Sequence, residues 1–156
     1  MYNKYSVKTT EKEARTKMHS LNASYKDLSQ ICRNIKGMNA EKAVQLMDEV
    51  MKKETPIHYY TFNTRLGHRK KIKGKGRYPV KESKMVKKAL KDAIANAVAK
   101  GLQKEKLIVS TATANKQNIY PRYKKYWVGS VVIGYGKQAI FSNYVTAILE
   151  IVVKEV

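Results

Sequence analysis

Leu28, Ile31, Cys32 and Ile35 recur at i, i+3, i+4 and i+7, the spacing of one apolar stripe on a helix. Ser24 stands just ahead of the stripe, and Asp27 lies three residues on. That pair predicts a helix start in which serine caps free N–H groups and aspartate returns a bond. Gly37 ends the helix, where a left-handed residue is easiest to place. Asn39 is positioned to cap a second helix, with Ala43, Met47, Val50 and Met51 as its buried face and Pro56 closing it. A third helix is predicted over about 81–100. Its stripe is Met85, Val86, Ala89, Leu90, Ala93, Ile94, Ala97 and Val98, and Lys81, Lys84, Lys87, Lys88 and Lys91 crowd the other side. The alanines at 89, 93 and 97 let a neighbouring element approach closely. Gly101 ends this helix.

Elsewhere the period changes or vanishes. Residues 107–115 are rich in Val, Ile and Thr, and across 144–153 Val145, Ala147, Leu149, Ile151 and Val153 alternate on one face. Both segments read as strands. Pairing them makes a β-hairpin at about 107–155. With about fourteen residues per arm at ~3.3 Å each, it reaches roughly 45 Å. A small core does not cover such a hairpin, so it must project into something. Residues 57–79 lose all period and are punctuated by Gly67, Gly74 and Gly76, so they read as a long basic loop. Residues 1–23 are polar and basic, an extended arm with at most a short strand. Residues 24–156 then form a single domain.

Charge narrows the partners. Of 156 residues, 32 are Lys or Arg and 12 are Asp or Glu, a net charge of +20. Such a chain repels itself and binds polyanions, of which phosphate backbones are the commonest in cells. The acids are also unevenly placed, with none between Thr55 and Lys81 or between Lys106 and Leu149. A hydrophobic fraction of 43% is enough for a real core. No apolar run approaches the ~18 residues of a membrane helix, and residues 1–15 hold no secretory apolar region. One cysteine, Cys32, allows no internal disulfide and fits a reducing compartment.

The chemistry of catalysis is missing. His19, His58, His68 and Cys32 fall at no metal-ligand spacing. Gly74-Lys75-Gly76 and Gly134-Tyr135-Gly136-Lys137 look in part like phosphate loops, but neither completes the signature. Carboxylate pairs have no place in the acid-free stretches. We expect no enzyme, no metal and no cofactor. RNA contact is expected instead from Arg65, His68, Arg69, Lys70, Lys71, Lys73, Lys75 and Arg77, from Lys81, Lys84 and Lys88, and from Lys116, Arg122, Lys124, Lys125 and Lys137. Tyr59, Tyr60, Tyr78, Tyr120, Tyr123, Tyr126 and Trp127 are candidates to stack on unpaired bases.

Three segments resemble one known family. Ile35-Lys36-Gly37-Met38 with Ala43 and Val44 is similar to the glycine turn between that family's first two helices. Gly67-His68 through Gly76-Arg77-Tyr78-Pro79 is similar to its glycine-rich insertion, and Leu90 through Ala95-Asn96-Ala97 to Lys100-Gly101-Leu102 to its alanine-asparagine-alanine helix end. Ile148-Leu149-Glu150-Ile151-Val152 resembles its closing strand. The combination resembles the archaeal and eukaryotic branch of the ribosomal protein L22 family of the large subunit.

The resemblance implies an α+β fold, with three helices packed on a small three-stranded antiparallel sheet and a long protruding β-hairpin. It implies a cytoplasmic ribosomal protein whose partners are large-subunit rRNA, neighbouring ribosomal proteins and the nascent polypeptide, without membrane insertion. It also implies that the hairpin lines the peptide exit tunnel, which places Tyr126, Trp127, Tyr135 and Gly136 at a tunnel-facing tip. Tyr120-Pro121-Arg122 and Tyr135-Gly136-Lys137 resemble the family's tip. The residues between them, including Trp127, Val128, Val131, Val132 and Ile133, are apolar where the family is basic. Two rival readings are a non-ribosomal basic nucleic-acid-binding protein and a membrane-surface protein using Lys84–Lys91 and the Trp127–Ile133 patch.

Overall fold

The computed structural model describes residues 5–6, 10–120 and 143–156. In chain order the elements are β1 (Glu13–Leu21), α1 (Tyr25–Ile35), α2 (Ala40–Met51), β2 (Ile57–His58), β3 (His68–Arg69), β4 (Gly74–Arg77), α3 (Val80–Ala99), β5 (Leu107–Tyr120) and β6 (Tyr144–Glu155). Short 3-10 turns lie at Lys70–Ile72 and Lys104–Lys106. Among the described residues, three α-helices and two three-stranded antiparallel sheets make an α+β fold.

The main sheet has the order β1-β6-β5. Its middle strand is buried on both faces near its end, with Val152 as well as Ile151 and Val153 covered, and so reads there as a continuous apolar run. Ala147, Leu149, Ile151 and Val153 are fully buried, as their alternation predicts. Against them pack α1, on β5, and α3, on β1 and β6, with α2 resting on α3. Ala89, Ala93 and Ala97 lie wholly inside that contact, so their smallness sets the close approach. Met51 is only half-buried and Val98 is 51% exposed, so both stand outside the core their spacing suggested.

β5 and β6 pair antiparallel from Leu107↔Glu155 out to Tyr120↔Tyr144. β5 runs five residues past the predicted 107–115. Residues 121–142, which hold the predicted hairpin tip, lie outside the described residues. The segment read as an arm supplies β1, nine residues long and paired with β6 from Glu13↔Lys154 to Leu21↔Ala147. The polar residues Glu13, Arg15, Lys17 and His19 hid the alternation of Ala14 and Thr16, both buried.

The helix ends show where local rules hold and where tertiary contacts displace them. Ser24 Oγ accepts the N–H of Asp27 at 3.3 Å. The returning bond comes from elsewhere: Ser24 N–H donates to Glu82 Oε1, while Asp27 Oδ1 accepts the Tyr59 hydroxyl at 2.7 Å. Asn39 Oδ1 accepts from Glu41 and Lys42 as predicted. α2 then ends at Met51, well before Pro56, because Lys53 turns to φ +63 and donates to Val50 O. Gly37 sits at φ +83, which frees its N–H to bond Val109 O while Val109 N–H bonds Met38 O. The turn is thereby stitched to β5.

One acid lies inside the main sheet. Glu150, 7% exposed, faces its register partner Lys17 on β1, with Nζ–Oε1 at 2.6 Å. The Ser6 hydroxyl and N–H also donate to it. Burial alone would raise this carboxyl, but the bonds from Lys17 and Ser6 together outweigh burial and hold it below the usual range. A carboxyl lowered on folding stabilises above its unfolded value, near 4.3, and that contribution is lost as pH falls through the folded value. Lys17→Met removes the largest opposing bond while burial remains, so the variant loses much of the stability that the ionised carboxyl contributes above about pH 4.3. We expect a loss of about 2 kcal/mol at neutral pH. This is below the ~3–5 kcal/mol of a fully buried broken pair, because Ser6 still donates. Urea unfolding at about pH 4 and 7 checks this; an equal loss at both would refute the ion pair as its source.

Candidate nucleic-acid interface

Residues 57–79, predicted as a loop, fold into the second sheet, ordered β2-β4-β3. Its register is Ile57↔Arg77 and His58↔Gly76 on one side of β4, His68↔Lys75 and Arg69↔Gly74 on the other. Ile57 and Tyr59 anchor it in the core, each about 1% exposed. Tyr59 is therefore no stacking platform. Burial, and then its bond to Asp27, push its phenol far up, so it stays protonated.

Two glycines set how closely the strands meet. A Cβ on Gly74 would lie 2.7 Å from His58 Nε2, and one on Gly76 2.5 Å from the carbonyl oxygen of Ile57. Neither glycine cradles a phosphate through a special turn; both make room for neighbouring protein.

This small frame carries the predicted cations. Arg65, His68, Arg69, Lys70, Lys71, Lys73 and Arg77 are exposed, and Lys75 is half-buried. Lys73 turns the chain at φ +46 between the 3-10 turn and β4. Arg69 Nε donates to Gly76 O at 3.2 Å, and its guanidinium stands 5.3 Å from the Tyr78 ring centre. No acid interrupts the run between Thr55 and Lys81, and among the described residues none of these cations has a carboxylate ion-pair partner to compete with phosphate.

The remaining predicted residues divide. Lys81 and Lys116 come together, with Lys26, around an open cleft floored by Ile119 and Tyr144. Lys84 and Lys88 line a separate groove over Met18, Met51 and Met85, beside Lys91. Lys87 borders the same groove but is held by Asp48 at 2.5 Å. Arg122, Lys124, Lys125, Lys137, Tyr123, Tyr126, Trp127, Tyr135 and Gly136 lie outside the described residues.

Of the stacking candidates, Tyr60 is 48% exposed, Tyr78 half-buried, and Tyr120, 47% exposed, packs on Tyr144. The sequence reading missed Arg33, Lys26 and Phe62, which surround Tyr60 and Tyr25. Arg33 and Lys26 look like ordinary solvated positions of α1 until residues 60–62 fold against them. The readable signal was three aromatics, at 59, 60 and 62, inside an acid-free run.

Among the described residues no three of His, Cys, Asp and Glu converge as metal ligands, and no helix is long and apolar enough to cross a membrane. Cys32 is a core residue whose thiol burial pushes up to about 12. Fold and surface define a small basic α+β protein suited to laying cations along a phosphate backbone.

Comparison with known proteins makes that class specific. Residues 16–129 match the family model of ribosomal protein L22p/L17e. The chain is 37% identical over 153 residues to large ribosomal subunit protein uL22 of Picrophilus torridus, covering 97% of this chain and 95% of that protein. It is 36% identical over 123 residues to the uL22 of Methanocaldococcus jannaschii, covering 77% and 79%, and 38% identical over 114 residues to that of Methanosphaera stadtmanae, covering 72% and 74%. The chain belongs to the ribosomal protein L22p/L17e family, in its archaeal and eukaryotic branch. It is a structural protein of the cytoplasmic ribosome and not an enzyme.

Proposed function

We propose that this chain is an rRNA-binding constituent of the large ribosomal subunit that supports subunit assembly. The observation that carries this reading is the second sheet, a hydrogen-bonded frame presenting exposed cations with no carboxylate among them. The lysines of α3 and of the Lys81–Lys116 cleft extend that surface, and residues 1–23 add further charge. Its relatives carry the large-subunit name. In this reading the segment joining β5 to β6 contacts rRNA, and its tip lines the exit tunnel and meets the nascent polypeptide. Neighbouring large-subunit proteins cover the remaining faces.

Sedimentation of a native lysate in high salt, with this chain followed by mass spectrometry, tests the proposal. The expected result is comigration with the large subunit that survives the salt. A chain that stays near the top, or washes off, would instead be a non-ribosomal basic nucleic-acid-binding protein.

A further inference from the structure

Tyr60 and Phe62 are 48% and 49% exposed, and they stand two residues apart beside the basic sheet. Half-exposed rings on a loose loop would need no explanation. These are not on a loose loop. Gln30 of α1, 2% exposed, accepts the N–H groups of Tyr60 at 3.0 Å and Thr61 at 3.2 Å, and its own amide donates to Thr61 Oγ1 at 2.6 Å. Asn34 donates to His58 O at 2.9 Å. A buried side chain thus spends its hydrogen-bonding capacity on fixing the backbone beneath two rings that face outward. Phe62 is moreover held at φ +55, a conformation bulky residues rarely adopt.

Each ring has a cation over one of its faces, which leaves the other face for a base. The Arg33 guanidinium lies 4.3 Å from the Tyr60 ring centre, and Lys26 Nζ 5.3 Å from that of Phe62. The patch joins both basic surfaces. His58 packs edge-on to Tyr60 at 4.3 Å and overlies Gly74, while Lys26 also lines the Lys81–Lys116 cleft. A pre-fixed aromatic face flanked by cations and continuous with a phosphate-binding surface is the chemistry of base stacking beside a backbone contact. A duplex backbone needs the cations but not the rings.

We infer that Tyr60 and Phe62 form a stacking site for unpaired nucleobases, with Arg33 and Lys26 holding the adjoining phosphates. This rests on the rRNA reading and adds what kind of RNA is recognised there: a bulge, loop or extruded base.

The test uses the full chain with a twelve-nucleotide single-stranded RNA and a duplex of the same length. For the Tyr60→Leu/Phe62→Leu variant the expected result is a loss of about tenfold or more on the single strand, little change on the duplex, and an unchanged salt slope. The Tyr60→Phe/Phe62→Tyr variant should restore single-strand binding. In the wild type, the ring protons of both residues should shift upfield as the single strand saturates. Equal losses on both RNAs, or no loss, overturn the inference. So do ring resonances that stay put at saturation, whatever the variants do. If the wild type binds neither RNA, the rRNA reading itself falls. Duplex binding with a steep salt slope but immobile rings leaves that reading standing and removes only the stacking site.

Discussion

Changing Lys70, Lys71, Lys73 and Arg77 together to glutamine is expected to weaken binding to large-subunit rRNA roughly 10²–10³-fold near physiological salt. All four are exposed, and among the described residues none has an acid partner. Each phosphate neutralised contributes about 0.7–0.9 to the slope of log affinity against log salt, so the slope should flatten by about 3. Stability should hardly move, since surface changes of this kind usually stay within ~0.5 kcal/mol. A control with the same change in net charge is available in Lys42, Lys52, Lys106 and Lys154, exposed residues outside the basic sheet and its adjoining surfaces. Binding measured at several salt concentrations separates the two sets. If both lower affinity alike, the protein attracts rRNA through its overall charge and the small sheet has no special part.

The second large effect is expected from Gly76→Val. Any Cβ there comes to 2.5 Å from Ile57 O and 2.5 Å from Ile72 Cδ1. The isoleucine tip can swing away. The carbonyl cannot, because it belongs to the paired strand and Ile57 is anchored in the core. Two further methyl groups leave strand separation as the only relief. We expect about 3 kcal/mol of destabilisation, at the upper end for overpacking, with Gly76→Ala between it and the wild type. Because His58 pairs with Gly76, and Tyr59 N–H bonds Lys75 O at 3.0 Å, the damage should begin in residues 57–77. Amide exchange should quicken there before the main sheet is affected. A denaturation midpoint unchanged from wild type would contradict this packing.

These two sites differ in how legible they were. The cations around Gly76 stood out in the sequence because an acid-free run needs no structure to be seen. The sheet carrying them did not, since β2 and β3 are two residues long and β4 contains two glycines, which leaves nothing for a period of two to act on. The helices were readable because Leu28, Ile31, Ala89 and Leu90 repeat over several turns and Ser24 and Asn39 mark their starts. Their finer wiring was not. Asp27 answers to Tyr59 and Ser24 to Glu82, partners 32 and 58 residues away. β6 announced itself through strict alternation, while β1 was masked by polar residues such as Arg15 and Lys17 along its length. The Tyr60–Phe62 patch lay furthest from view, because Arg33 becomes its neighbour only when α1 and the second sheet meet.

The pairing of β6 between β1 and β5 also has a mechanical meaning. Ladder hydrogen bonds run perpendicular to their strands. A pull along β6 from its Tyr144 end therefore loads the β1 and β5 ladders in shear, with many bonds sharing the force. A pull that spreads Tyr120 from Tyr144 meets one pair at a time. The body is thus a stiff anchor against tension along its central strand and a zipper against sideways opening. Whatever joins β5 to β6 is held by a mount whose strength depends on the direction of the load.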